Sequence, residues 1–255
     1  MRQTIVTPAI VLRRVAYAEA DLVVTLLGSE TGRVSALARG ARKSSRRFAG
    51  GLGMATTGEA KLRERAGAEL LILESFDAQS DRAGLGLDVS KAAHAAYAVE
   101  LCDRLCPPRQ AEKAVFAWLD DFLARLSSGQ ATAERLRVFE LGLLRDLGIG
   151  PSLDRCVVCD RGDLGGEDVR WHPDRGGVVC RSCSGRGDLM SGRTRQELAR
   201  LATTRLADAD GLVHDREVGA GCRRAVLALL HEHVHGPLRS LEFIEKMSGG
   251  MSGSR

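Results

Sequence analysis

Residues 22–38 read LVVTLLGSETGRVSALA, two runs of aliphatic and β-branched residues separated by the turn Ser29-Glu30-Thr31-Gly32. Runs of this composition bounded by turn residues are typical of β-strands. Similar strand-like segments lie on both sides of this stretch, at residues 4–15, 58–65 and 69–76. The first 80 residues therefore predict five short strands.

Five short strands in about 80 residues suit a small barrel, of which the five-stranded oligonucleotide-binding barrel (OB-fold) is one. The predicted connection between the third and fourth strands, residues 40–58, lies in a strongly basic region. From residue 31 to residue 58 there is no acidic residue, and there are six basic ones: Arg33, Arg39, Arg42, Lys43, Arg46 and Arg47. The net charge of the chain is only +4, so the remaining residues together carry −2. Such a block suggests a polyanionic partner, and a solvated loop without a ligand is the alternative.

After residue 81 the apolar residues recur at helical spacing. The pattern predicts three helices before residue 150, the first capped by Asp88 or Ser90 and the third by Thr132. Two further helices are expected at residues 194–206 and 216–235. Spacing of the type i, i+3, i+4, i+7 is what a helical core requires, so we interpret these faces as core rather than as a ligand site.

Between residues 151 and 190 this periodicity disappears, and we expect the segment to bury no core of its own. It contains Cys156-Val-Val-Cys159 and Cys180-Arg-Ser-Cys183, which fit a zinc-binding spacing. Four thiolates complete a tetrahedral coordination sphere, so the prediction is one structural Zn²⁺. A site that uses His172, or paired thiols with a redox role or none, are the alternatives. The other three cysteines, Cys102, Cys106 and Cys222, fall within helical patterns and are expected in the core.

The segment His231-Glu232-His233-Val234-His235 fits the H-E-x-x-H pattern of zinc metalloproteases. No third-ligand segment follows it, and the helix is expected to end at Gly236-Pro237. A solvated, polar helix end explains the same residues, because imidazolium groups are favourable near a helix C-terminus. The chain carries neither a Walker-type phosphate loop nor a dinucleotide fingerprint. The sequence therefore favours a binding protein over an enzyme.

Composition places the chain among ordinary globular proteins, with 44% hydrophobic and 27% charged residues. Its longest unbroken apolar runs, residues 114–119 and 225–230, are far shorter than the roughly 20 residues that cross a bilayer. The N-terminus lacks the apolar core of a signal peptide. We therefore expect a cytoplasmic protein without a membrane partner.

The ordered set of motifs resembles the RecO family of bacterial DNA repair and recombination mediators. The resemblance rests on ARGARK at residues 38–43, FELGLL at residues 139–144, DRCVVC at residues 154–159 and CRSC at residues 180–183. It extends from about residue 8 to residue 244. A transcription-associated zinc-ribbon factor would share the cysteines and the basic region, and is the alternative of another class.

The resemblance implies an α+β protein in which a zinc-binding insertion interrupts a helical domain. The expected boundaries are an OB-fold barrel at 1–80, helical parts at 81–150 and 191–247, a four-cysteine zinc-binding insertion at 151–190 and a disordered tail at 248–255. It also implies binding of single- and double-stranded DNA, strand annealing, and association with RecR and the single-strand-binding protein. The family helps to load RecA recombinase, which places the protein at the bacterial nucleoid.

In this interpretation the basic region neutralises DNA phosphates. The expected phosphate contacts are Arg33, Arg39, Arg42, Lys43, Arg46 and Arg47. Phe48 is the candidate for stacking on a base, unless it packs under the barrel rim.

Overall fold

The structure is a computed structural model that describes residues 4–44, 46–64, 69–80, 82–183, 185–212 and 215–250. The chain forms two compact units. The first comprises residues 1–131 and 238–255, and the second comprises residues 132–237. Among the described residues, none of the helices combines the length and the hydrophobicity that crossing a membrane requires.

The first unit begins with the five strands that the sequence predicts. They are β1 (Thr4–Ala16), β2 (Leu22–Gly28), β3 (Gly32–Ala38), β4 (Thr57–Arg63) and β5 (Leu71–Ser80). The strands close into a barrel in the order β1-β2-β3-β5-β4. Neighbouring strands are antiparallel except β3 and β5, which are parallel. In this pair Ala36 lies opposite Leu71 and Leu37 lies opposite Ile72. The predicted end of the fourth strand, Arg65, lies outside the described residues.

Alternation along the strands fills the barrel. In β3, residues Val34, Ala36 and Ala38 are buried while their neighbours are half-buried, because successive side chains of a strand point to opposite faces. Phe48 and Leu52, which belong to the β3–β4 connection, complete the same apolar cluster. The connection thus contributes to the barrel core instead of standing away from it.

The described residues contain six α-helices. They are α1 (Val89–Leu105), α2 (Lys113–Ser128), α3 (Ala133–Asp146), α4 (Gly192–Thr203), α5 (Arg216–His233) and α6 (Arg239–Gly250). Asp88 caps α1 by accepting hydrogen bonds from the amides of Ser90 and Lys91, at 2.7 and 3.1 Å. Thr132 caps α3 through the amide of Arg135 at 3.2 Å. Both predicted helix starts are confirmed.

In the first unit, α6 packs against α1. The carboxylate of Glu100 on α1 accepts hydrogen bonds from the amides of Arg239 and Ser240, at 3.2 and 2.9 Å, at the start of α6. Helix α6 extends to Gly250 and so includes residues 248–250, which the sequence assigns to the tail. Residues 251–255 lie outside the described residues.

The second unit combines α3, α4 and α5 with a small sheet. Its strands are β6 (Ser152–Cys156), β7 (Val169–His172), β8 (Gly177–Val179) and β9 (Asp188–Met190), in the order β6-β8-β7-β9. The expectation that residues 151–190 bury no core is wrong, since Val169, Trp171 and Val178 are at most 4% exposed. Strands of three to five residues are too short to display a period, which is why the pattern was invisible in the sequence.

The two units differ from the domain boundaries that the sequence suggests. Helices α1, α2 and α6 group with the barrel, and α3 to α5 group with the cysteine segment. Apolar spacing predicts a helix and its buried face, but the face does not specify which element covers it.

Candidate metal centre and nucleic-acid interface

The four paired cysteines converge on one point. Their Sγ atoms all lie within 4.8 Å of one another, and those of Cys159 and Cys180 are 3.8 Å apart. The sheet explains this convergence, because β6 ends at Cys156 and pairs with β8, which directly precedes Cys180. Each Cys-x-x-Cys turn is thereby held at the end of one of two neighbouring strands.

Backbone hydrogen bonds shape both turns. The amide of Asp160 donates to the carbonyl of Cys156 at 2.9 Å, and the amide of Cys183 donates to the carbonyl of Cys180 at 3.1 Å. The amide of Cys180 also donates to Sγ of Cys156 at 3.3 Å. Cys156 and Cys180 are buried, whereas Cys159 is exposed. The sulfur set is therefore built from two ordered turns, with one side open to solvent.

The thiols influence one another's ionisation. Burial opposes ionisation of Cys156, but amides of Cys180, Cys159 and Val158 together lower its pKa to about 6. Hydrogen bonds with Cys159 and Cys180 raise the pKa of Cys183 to about 12. Like charges at this separation repel, and a bound cation would offset that repulsion. The cluster is a site that could hold one metal ion.

The alternative metal ligands lie elsewhere. His172 is not part of the four-sulfur cluster, and its Nδ1 lies 3.6 Å from a carboxylate oxygen of Asp174. Helix α5 ends at His233 rather than at the predicted residue 235, so His231 and His235 do not share a helical face. Within the described part of the chain, the four cysteines are the one group of three or more candidate ligands that converges. The H-E-x-x-H pattern is therefore not among the converging ligand groups of the described residues.

The core cysteines behave as predicted. Cys102, Cys106 and Cys222 are at most 2% exposed. Burial raises the pKa of the Cys222 thiol to about 12, which favours its protonated form.

The basic β3–β4 connection is anchored at both ends of its basic stretch. The amide of Arg42 donates to the carbonyl of Ala20 at 3.1 Å, and the amide of Phe76 donates to the carbonyl of Arg47 at 2.9 Å. Asp21 accepts a 2.8 Å hydrogen bond from the amide of Gly40. The connection is therefore fixed to the β1–β2 turn and to β5, and it is not a loose loop.

The side chains of this connection fall into two groups. Arg47 donates to the carbonyl of Arg39 at 2.7 Å and lies 5.3 Å from the ring centroid of Phe48. Arg42 donates to the carbonyl of Glu19 at 3.2 Å. The side chains of Arg39, Lys43 and Arg46 are exposed. Across the described residues, no carboxylate lies within 4.0 Å of the five basic groups of the connection, Arg39, Arg42, Lys43, Arg46 and Arg47.

Two of the residues predicted to contact DNA make contacts within the protein instead. Arg33 Nε donates to the carbonyl of Cys106 at 2.8 Å, and its guanidinium lies 3.5 Å from Asp103, so it joins β3 to the end of α1. Phe48 is 4% exposed in the barrel core. The expectation that its ring stacks on a base is not supported, because a ring that stacks on a base must have at least one face exposed.

Arg14 and Tyr17 are not among the residues that the sequence predicts to contact DNA. Arg14 lies on β1 beside the basic connection, where it lines a cavity together with Arg42. Tyr17 is 62% exposed in the turn after β1, whereas Phe48 and Phe76 are buried. The signal available was the pair Arg13-Arg14, since neighbouring strand residues face opposite ways and one of the two had to face the connection.

Comparison with known proteins identifies the family. The model described as Recombination protein O N terminal matches residues 1–79, and the one described as Recombination protein O C terminal matches residues 86–242. The chain belongs to the RecO family. The DNA repair protein RecO of Anaeromyxobacter sp. (strain Fw109-5) is 38% identical over 252 residues, which cover 97% of this chain and 98% of the relative. That of Myxococcus xanthus is 34% identical over 248 residues, 94% of this chain and 96% of the relative.

Membership of the RecO family gives the chain a role in DNA repair and recombination. The family resemblance seen in the sequence is confirmed. A similar relative, the DNA repair protein RecO of Geobacter sulfurreducens, is 33% identical over 241 residues, 94% of this chain and 97% of its own length. The match extends over both compact units, so the barrel with its basic connection and the cysteine cluster both fall within the family.

Proposed function

We propose that this protein binds single- and double-stranded DNA through the basic β3–β4 connection and anneals complementary strands. With RecR, it loads RecA recombinase onto single strands coated by the single-strand-binding protein. It acts by binding rather than by catalysis, in the bacterial cytoplasm at the nucleoid. The observation that carries the proposal is the set of exposed cations Arg39, Lys43 and Arg46. Among the described residues they have no carboxylate within 4.0 Å, and they lie on an anchored segment without any acid.

Charge neutralisation is the physical basis of this activity. Each phosphate that pairs with Lys or Arg releases condensed counterions, which favours binding whatever the base sequence. Annealing is opposed by repulsion between two phosphate backbones, and a basic surface lowers that repulsion. Since phosphates carry no sequence information, we expect little sequence preference.

The cysteine cluster fits Zn²⁺. With Zn–S bonds of about 2.3 Å, sulfurs at tetrahedral corners are about 3.8 Å apart. The Cys159 and Cys180 sulfurs, 3.8 Å apart, already have this separation. Bound by Cys156, Cys159, Cys180 and Cys183, the ion has no open position for substrate, so it is structural. It fastens the two turns at the ends of β6 and β8, and DNA binding by the first unit does not depend on it.

The test of DNA binding is the salt dependence of affinity. In the variant Lys43→Gln/Arg46→Gln, two phosphate contacts are lost, so the slope of log K against log salt for single strands becomes shallower by about 1.4. Affinity falls to the same extent for unrelated sequences, measured by fluorescence anisotropy of labelled oligonucleotides. The matched control is Arg216→Gln/Arg224→Gln, which removes two exposed charges from α5. An unchanged slope in the first variant, or a change confined to the α5 control, would place the DNA contacts elsewhere.

Association with RecR is tested separately. Purified RecR from the same bacterium should bind the wild type and Lys43→Gln/Arg46→Gln equally in DNA-free buffer, since neither substitution changes a buried contact. Failure of the wild type to bind RecR would contradict the mediator role but leave DNA binding standing.

A further inference from the structure

A cavity of about 460 Å³ lies beside the basic connection. Arg14 at the end of β1 and Arg42 of the connection supply its charged lining, and no acidic residue lines it. Its apolar lining comes from Ala16, Leu22, Phe48 and Leu52. Sites for small organic ligands typically enclose about 300–1,000 Å³, so the cavity has room for one nucleotide.

Arg14 is available for a ligand. Its side chain is exposed and, among the described residues, has neither a hydrogen-bond acceptor nor a carboxylate within reach. The adjacent Arg13 points to the opposite face of β1, where its guanidinium lies 3.5 Å from Asp103. The two residues therefore carry the same charge at neighbouring positions, but only Arg14 faces the cavity.

The apolar part of the lining is rigid. Phe48 and Leu52 are 4% and 3% exposed and belong to the barrel core. A cavity with guanidinium groups on one side and fixed apolar side chains on the other suits a ligand that is anionic at one end and flat and apolar at the other. A nucleotide has this character, because its base has an apolar face and its phosphate pairs with Arg.

We propose that this cavity binds one unstacked nucleotide of a single-stranded nucleic acid, with its phosphate at Arg14 and Arg42 and its base against the apolar wall formed by Ala16 and Leu22. The proposal rests on the proposed DNA binding and adds a position that distinguishes single strands from duplexes. In a duplex the bases are stacked and paired, so none can enter. Tyr17, exposed next to Ala16, offers a stacking surface for the neighbouring base.

The experiment compares Arg14→Gln with Arg13→Gln in the full chain. Affinities are measured for a labelled thymidine oligonucleotide and for a duplex of the same length. We expect Arg14→Gln to weaken binding of the oligonucleotide about tenfold, as for the loss of a charge-assisted hydrogen bond, and that of the duplex less than about twofold. Arg13→Gln should change both by less than about twofold.

A second variant removes space instead of charge. Ala16 is exposed at the end of β1, so Ala16→Leu partly fills the cavity without disturbing the core. It too should weaken binding of the thymidine oligonucleotide selectively. Equal effects of Arg14→Gln on both DNA forms, equal effects of Arg14→Gln and Arg13→Gln, or no effect of Ala16→Leu overturn the proposal while DNA binding itself remains. If the wild type binds neither DNA, the proposed function fails as well. Displacement of the oligonucleotide by micromolar thymidine monophosphate would show a site for free nucleotides instead.

Discussion

Replacing Phe48 distinguishes a structural ring from a base-stacking one. The side chain is 4% exposed in the barrel core, so nearly all of the roughly 150–250 Å² that an aromatic residue buries is removed from water. At about 25 cal/mol per Å² this burial contributes about 4–6 kcal/mol as an upper estimate. Phe→Ala substitutions in cores cost about 3–5 kcal/mol. We expect Phe48→Ala to destabilise the first unit by that amount and to lower its Tm by about 6–20 °C.

The two tryptophans allow each unit to be followed separately. Trp118 lies on α2 in the first unit and Trp171 on β7 in the second. In a Trp171→Phe background, the thermal transition of Trp118 fluorescence reports the first unit alone. Phe48→Leu is the matched control, because it keeps an apolar side chain at the position and should cost only about 1 kcal/mol.

DNA binding gives the second readout. Phe48 holds the basic connection against the barrel, and Arg47 lies over its ring. Below the transition temperature, Phe48→Ala should therefore weaken binding of single strands and duplexes together, whereas Phe48→Leu should preserve both. A Tm shift below about 2 °C for Phe48→Ala, with selective loss of single-strand binding in both variants, would refute this reasoning and restore the stacking role.

Two further predictions concern the metal centre and pH. Cys156→Ser should abolish stoichiometric zinc, measured by elemental analysis, and shift Trp171 emission to longer wavelength, since small metal-dependent segments owe their folding energy to the ion. Oligonucleotide affinity should stay within about twofold. Zinc retained at one per chain would contradict the four-sulfur site. The hydrogen bond from Arg63 and the charge of Lys61 hold the pKa of Glu74 below its usual 4.5. A carboxyl whose pKa is lowered by folding stabilises the protein above the unfolded value and ceases to do so as pH falls through the folded value. Glu74→Gln should therefore make the first unit less stable at neutral pH but less sensitive to acid below about pH 4.5, followed by Trp118 fluorescence; parallel acid titrations of variant and wild type would count against this pair.

Local patterns proved reliable where short-range physics decides the outcome. The five strands follow from alternation and turn residues within each segment. Asp88 and Thr132 cap their helices because a capping side chain reaches amides only two or three residues away. The pairing of two sulfurs within each Cys-x-x-Cys turn was also visible in advance, since such a turn directs two sulfurs to one side by itself. The meeting of the two turns follows from the pairing of β6 with β8.

Local patterns did not show which individual basic and aromatic residues are buried or paired within the protein. Arg33 looked like a member of the basic region, but its partners Asp103 and Cys106 lie 70 and 73 residues along the chain. Arg14 could not be told apart from Arg13 until β1 was placed beside the connection that carries Arg42.

The sequence by itself determined the strands, the helix starts, the set of candidate metal ligands and the basic region, because these depend on spacing and composition within a few residues. Only the tertiary structure decided that β3 and β5 close the barrel, that Phe48 lies inside it and that Arg14 faces a cavity. Burial and pairing of a side chain depend on which distant segments surround it. That information is a property of the packed chain and not of the residues on either side.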